Sequence, residues 1–232
     1  MTLLERKYFP LWQLGYRSNP FRALTPEEWH MLALLPDSMQ DLLDAPPALT
    51  QILGDQGTGK TSLLLALERG YLEKGWNVTY EYLPVGATRY KSVLSDVRIL
   101  LLDEAQRLSR SALRRLFSFL GSGTNDGFQL VLSSHSDLTA YAAEHEISLT
   151  SVHLDTRSQS FIHALVEHRL SYFERPGHQG TRLTRAALKQ LTGHCGPDLR
   201  TLEKLLYEAY QTWDAEGSIS EKHIKGLINE LV

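Results

Sequence analysis

The chain has a single cysteine, Cys195, among 232 residues, which excludes an internal disulfide framework. With only His194 beside it, that thiol also lacks the ligand count of a zinc site, so an inert structural role is expected. No stretch reaches the roughly 18 consecutive apolar residues of a membrane span. Residues 1–10 carry Glu5, Arg6 and Lys7 and have no apolar core of signal-peptide length, so a cytoplasmic protein with no membrane role is expected. Charge of one sign is also scarce. Against 27 Asp and Glu stand 24 Lys and Arg, a net charge of −3, and only a local basic patch could draw the chain to nucleic acid. Internal repeats and low-complexity tracts are missing as well. What remains is an ordinary globular composition, long enough for one large domain and a small one.

The strongest signal is Gly54-Asp55-Gln56-Gly57-Thr58-Gly59-Lys60-Thr61, which fits G-x-x-x-x-G-K-[ST] at every fixed position. Glycines let the backbone curl so that successive N–H groups point at a polyphosphate. Lys60 supplies a point charge for the β- and γ-phosphates, and the Thr61 hydroxyl can ligate Mg²⁺. The flanks agree: Ala48 to Leu53 reads as a strand entering the loop, and Ser62 to Lys74 carries Leu64, Leu67 and Tyr71 at helical spacing up to Gly75. Residues 54–62 are therefore the candidate nucleotide-binding set. No Asn-Lys-x-Asp base-reading motif occurs, which favours ATP over GTP.

A second strand, Trp76 to Leu83, alternates in period two and belongs at or near a sheet edge. After Arg98, Ile99 to Leu102 is a continuous apolar run closed by Asp103 and Glu104, the pattern of a buried parallel strand whose carboxyl end faces the ligand. Asp103 is the expected Mg²⁺ partner and Glu104 the residue that orients and polarises attacking water. Glu104 also opens a predicted helix to about Leu120, with Leu113, Leu116, Phe117 and Leu120 on one stripe and Arg107, Arg110, Arg114 and Arg115 mainly elsewhere. Those arginines are either a solvated face or a charged edge for a neighbouring subunit or nucleic acid. Phe128 to Leu132 is a fourth strand ending in Ser133-Ser134-His135, where Ser134 or His135 could sense the γ-phosphate. Ser151 to Asp155 makes a fifth strand, and helices follow from Ser158 to Leu231. The fold class is thus α/β, a parallel five-stranded sheet of the P-loop NTPase kind with flanking helices, followed by a small all-helical domain. The expected divisions are residues 1–47 (an aromatic segment, with Tyr8, Phe9, Trp12, Tyr16, Phe21 and Trp29, packing on the core), 48–157 and 158–232.

Together the phosphate loop, the Asp-Glu strand, the polar-ended fourth strand and the trailing helices over residues 48–232 resemble the AAA+ ATPases. The resemblance implies that Gly196-Pro197-Asp198-Leu199-Arg200 opens a lid helix whose Arg200 reaches the γ-phosphate. Asn19-Pro20-Phe21 and Leu101 to Gln106 are similar to a narrower group, the ExeA-type and TnsC-type ATPases and, more distantly, the origin-recognition ATPases. That likeness gives Asn19 and Phe21 a place near the adenine. It also implies a homo-oligomer acting as a regulator or loader for DNA-associated machinery such as transposition, with a transposase or target selector as partner. DNA contact would come through Arg89, Tyr90 and Lys91 or through the Arg107 to Arg115 helix.

Two departures stand out. Only Val85 to Asp96 separates the second strand from the third, so the usual crossover helix is short or absent. Between Ser136 and Thr150 there is no Arg to act as a finger in trans, a contribution worth about 10³ to 10⁵ in rate. Arg107, Arg110, Arg114, Arg115 or Arg157 is left to substitute. The alternative to a working motor is a slow nucleotide-dependent switch that recruits a protein partner without binding DNA. A small-molecule kinase is a third reading, disfavoured because the Asp-Glu pair positions water.

Overall fold

The computed structural model describes residues 11–122, 127–154 and 158–231. In chain order the elements are α1 (Pro26–Leu32), α2 (Asp41–Asp44), β1 (Leu49–Leu53), α3 (Lys60–Glu73), β2 (Val78–Tyr82), β3 (Ile99–Asp103), α4 (Arg110–Gly121), β4 (Gln129–Ser134), α5 (Thr139–Ala143), β5 (Thr150–His153), α6 (Gln159–Phe173), α7 (Arg185–Cys195), α8 (Leu199–Thr212) and α9 (Glu221–Leu231). All five strands pair in parallel, in the order β2-β3-β4-β1-β5. Burial follows that order. β1 and β3 are buried throughout and β4 nearly so, whereas β2 and β5 are the half-exposed edges. The alternation written into Trp76 to Leu83 therefore marks an edge strand, as its wetter face implies.

Successive side chains of β3 point to opposite faces, and each face is covered by a different helix. Leu100 and Leu102 pack with Leu113, Leu116 and Phe117 of α4. Ile99 and Leu101 pack with Leu63, Leu64, Leu67 and Tyr71 of α3. The result is a three-layer sandwich whose strand ends carry the loop and the acidic pair to one edge.

α4 starts later than the sequence implies. Glu104 sits in left-handed backbone at φ 64°, a 3₁₀ turn covers Ala105–Arg107, and the helix proper opens at Arg110. Ser109 is the reason: its Oγ accepts the Ala112 N–H at 3.2 Å, an N-cap that Glu104 cannot supply. Between β2 and β3 there is a single 3₁₀ turn, Leu94–Asp96, so the crossover helix is absent. The crossover is held instead by Glu81, whose carboxylate accepts the Lys91 and Ser92 N–H groups at 2.6 and 2.9 Å.

The chain divides into two compact units, Glu27–Asp155 and Met1–Pro26 with Thr156–Val232. The first boundary thus differs from the division at residue 47. Leu42 and Leu43 are part of the core under α3, and Tyr71 donates its hydroxyl to Leu42 O at 2.5 Å. Phe21, in contrast, packs on Tyr210 of α8 at 5.3 Å between ring centroids. Arg169 of α6 donates to Pro20 O and Arg22 O, both at 2.6 Å. The helical unit is closed by side-chain caps at Ser158, Thr184 and Asp198, each accepting backbone N–H groups at the start of its helix.

Candidate nucleotide site at the strand ends

The loop between β1 and α3 is shaped by its glycines. Gly57 and Gly59 have φ of 88° and 85°, a region that a Cβ makes costly. At Gly54 a Cβ would lie 2.6 Å from Thr58 Oγ1, so close approach fixes that residue too. Thr58 donates to Asp55 O at 2.8 Å and closes the turn, while Asp55 and Gln56 are exposed at its tip. α3 follows directly, so its N-terminal N–H groups and the positive end of its dipole face the loop, an arrangement that favours anions.

Lys60 is 5% exposed, and its ammonium donates to Gly54 O and Asp55 O at 2.7 and 2.8 Å. Thr61 donates to Asp103 Oδ2 at 2.7 Å, which joins the loop to the end of β3. Asp103 is fully buried, yet its carboxylate is met by neutral hydroxyls among the described residues: Thr61, Tyr80 at 3.0 Å and Ser133. Burial, and then the charge of Asp103, push the Tyr80 phenol well above its ordinary value, which keeps it a donor. A buried carboxylate held by neutral hydroxyls is a donor set suited to a hard cation, and Mg²⁺ fits it, with Thr61 and Asp103 as the residues that would hold it. When bound, such an ion supplies charge stabilisation at phosphate oxygens.

Ser133 is the residue that sequence reasoning passed over. Its hydroxyl donates to Asp103 Oδ1 and accepts the Glu104 N–H at 3.0 Å, so it bridges the two acids. Of the two sensing candidates, His135 reaches the site and Ser134 does not. His135 Nδ1 lies 3.4 Å from Lys60 Nζ, and its Nε2 lies 3.8 Å from Glu104 Oε1. Ser134 Oγ is spent on its own loop, donating to Ser136 O and accepting the Ser136 N–H. The Glu104 carboxylate is held by Gln106 Nε2 at 2.8 Å and Arg107 Nη2 at 2.9 Å. Arg107 is anchored in turn on Tyr82 Oη and Leu83 O. That arginine is therefore committed beside Glu104, on a 3₁₀ turn rather than on the helix with Arg110, Arg114 and Arg115, which are exposed. Arg157 lies outside the described residues.

Other candidates fall elsewhere. Ser62 accepts from Trp29 Nε1 at 3.0 Å, which brings an indole to the first turn of α3, a contact with no sequence signal beyond the aromatic itself. Asn19 donates to Tyr207 O at 2.9 Å and accepts the Phe21 N–H at 2.9 Å, so both residues are engaged inside the helical unit. Arg200 is exposed in the first turn of α8, where Asp198 accepts its N–H at 2.9 Å. Arg89 and Lys91 are exposed, but Tyr90 packs partly buried on the core under α4 instead of standing at a basic tip.

No protein-family model matches the chain, and no curated protein matches it by sequence. Solved structures do. Domain III of the replication initiation protein DnaA from Thermotoga maritima superposes with a TM-score of 0.60 at 16% identity, covering 90% of this chain and 98% of that one. The Holliday junction branch migration motor RuvB from the same organism gives 0.60 at 16% identity over 91% and 73%. AMPPCP-bound DnaA from Aquifex aeolicus gives 0.59 at 15% identity over 90% and 70%. These likenesses show the fold alone, a parallel five-stranded sheet of the P-loop NTPase kind with flanking helices and further helices behind it.

Proposed function

We propose that the protein binds and hydrolyses ATP with Mg²⁺ at the strand-end site. The observation that carries this reading is the meeting of Lys60, Thr61, Asp103, Glu104 and Ser133 at one sheet edge. In it the loop N–H groups and Lys60 bind the phosphates, Thr61 and Asp103 face the ion, and Glu104 takes the proton of attacking water. His135 is the sensing residue between Lys60 and Glu104. Arg200 is assigned the second sensor by its Gly196 to Arg200 context alone.

The biological setting is proposed from the neighbours, a replication initiator and a branch migration motor. By that analogy this chain assembles into oligomers and serves as a regulator or loader on DNA-associated machinery, of which transposition is the instance that the Asn19 to Phe21 and Leu101 to Gln106 segments favour. A second reading, a slow switch that recruits a protein, is favoured by one specific observation: Arg107 is tied to Glu104 within the same chain and so is not free to act as a finger in trans. Phosphate release measured against protein concentration separates them. Specific activity that rises steeply with concentration supports assembly, and a flat, very slow rate supports the switch.

A further inference from the structure

The helical unit carries an open depression of about 740 Å³, lined by Arg17, Glu174, Arg175, His178 and Arg182 among others. It is walled by two chain segments bound to each other. Arg17 N–H donates to Phe173 O, Arg175 N–H to Gly15 O and Thr181 N–H to Leu14 O, at 2.8 to 2.9 Å. Residues 175–178 form a tight turn, with Pro176 in second place, Gly177 at φ 75° in third, and a 3.0 Å bond from His178 N–H to Arg175 O. The arginines on this rim are therefore presented by stiff backbone.

Their charges are not equally available. Arg182 is neutralised by Glu174 at 2.7 Å and Glu167 at 2.8 Å, which also engages the one carboxylate that lines the depression among the described residues. Arg17 and Arg175 have no carboxylate partner among the described residues. Arg17 donates to Tyr172 O and lies over the Tyr172 ring at 5.4 Å. Arg175 donates to Trp12 O at 3.0 Å, meets His178 Nε2 at 2.9 Å and stacks 3.7 Å from the centroid of Trp12. A carbonyl and a ring orient a guanidinium without cancelling its charge, so the entropy that a free arginine loses on meeting an anion is already spent. Trp12 remains 52% exposed, a half-open indole against Arg175 at the edge of the depression.

Two fixed guanidinium groups without a carboxylate partner among the described residues, one of them stacked on an exposed indole, are the pairing that takes phosphodiesters along a strand and unstacked bases on a ring. We propose that this depression and the indole adjoining it at Arg175 bind single-stranded nucleic acid, with Arg17 and Arg175 on the phosphates and Trp12 against a base. The inference rests on the DNA-associated reading above and moves the contact away from Arg89 to Lys91 and from the α4 arginines.

The test is fluorescence anisotropy of the full chain with a labelled single-stranded oligonucleotide of about 16 nucleotides, between about 50 and 200 mM salt. Arg17→Glu with Arg175→Glu should weaken binding at least about tenfold, and Arg17→Ala with Arg175→Ala should lower the salt slope by about 1.4, at about 0.7 per phosphate contact. His178→Glu, which leaves both carbonyl anchors in place, should weaken binding in the same sense, and Arg17→Lys with Arg175→Lys should keep the salt slope. ATP turnover should be unchanged in each. Wild-type binding to which the Glu and His178→Glu variants are indifferent would overturn this inference and leave the DNA-associated reading standing. No wild-type binding at low salt would overturn both, while ATP binding would still be judged separately. Equal competition by polyglutamate would overturn the nucleic-acid assignment in favour of an acidic protein segment.

Discussion

The hydroxyl of Thr61 donates to Asp103 Oδ2 at 2.7 Å, and this bond joins the phosphate loop to the end of the buried β3 strand. Both groups are the expected neighbours of the Mg²⁺ ion. Asp103→Asn, or Thr61→Ala, should therefore leave ATP affinity in EDTA nearly unchanged and lower the gain from added Mg²⁺ by about 10- to 100-fold. Titrations with and without the ion check this.

Glu104→Gln should retain ATP affinity and lose about 10² to 10⁴ in turnover, the range of a positioned general base. Ser133→Ala removes the bridge between Asp103 and the Glu104 N–H, so kcat should fall with KM little changed. A loss of affinity without a loss of kcat in Ser133→Ala would contradict this positioning role.

Trp29, 41% exposed, donates to Ser62 one residue beyond Thr61, so its emission should change when nucleotide fills the loop. Trp29→Phe should abolish that change. A response that persists in this variant would assign it to Trp12, Trp76 or Trp213 instead.

Burial, and after it the charge of Asp198, push the Cys195 thiol up to about 11 from an ordinary 9.0. The native thiol should react slowly with a disulfide reagent at pH 8 and rapidly once the chain unfolds. Since the folded value is raised, its contribution to stability is complete below pH 9 and is lost as pH climbs through 11. Cys195→Ala should accordingly flatten the fall in unfolding midpoint over that window.

The parts of the site that were legible in the sequence are those whose chemistry is local in the chain. Gly54 to Thr61 and Leu101 to Glu104 each hold their spacing within a few residues, and the apolar run before Asp103 can only be a buried strand. Ser133 was harder, because its role depends on β4 lying beside β3, a register that pairs Leu102 with Leu132 and that no short motif encodes. Arg107 falls inside the helix that the sequence predicts from Glu104, whereas the Ser109 cap starts the helix proper only at Arg110. Asn19 and Phe21 were drawn toward the nucleotide by resemblance. Tyr210, nearly two hundred residues away, supplies the packing surface that places Phe21 in the helical unit.

The most direct test is calorimetric titration of the full chain with Mg²⁺-ATP, wild type against Lys60→Ala. Lys60 donates to two loop carbonyls, and the account predicts saturable binding by the wild type and at least a hundredfold weaker binding, about 2.7 kcal/mol, in the variant. Equal affinity in the two proteins, or no binding by the wild type, would contradict it.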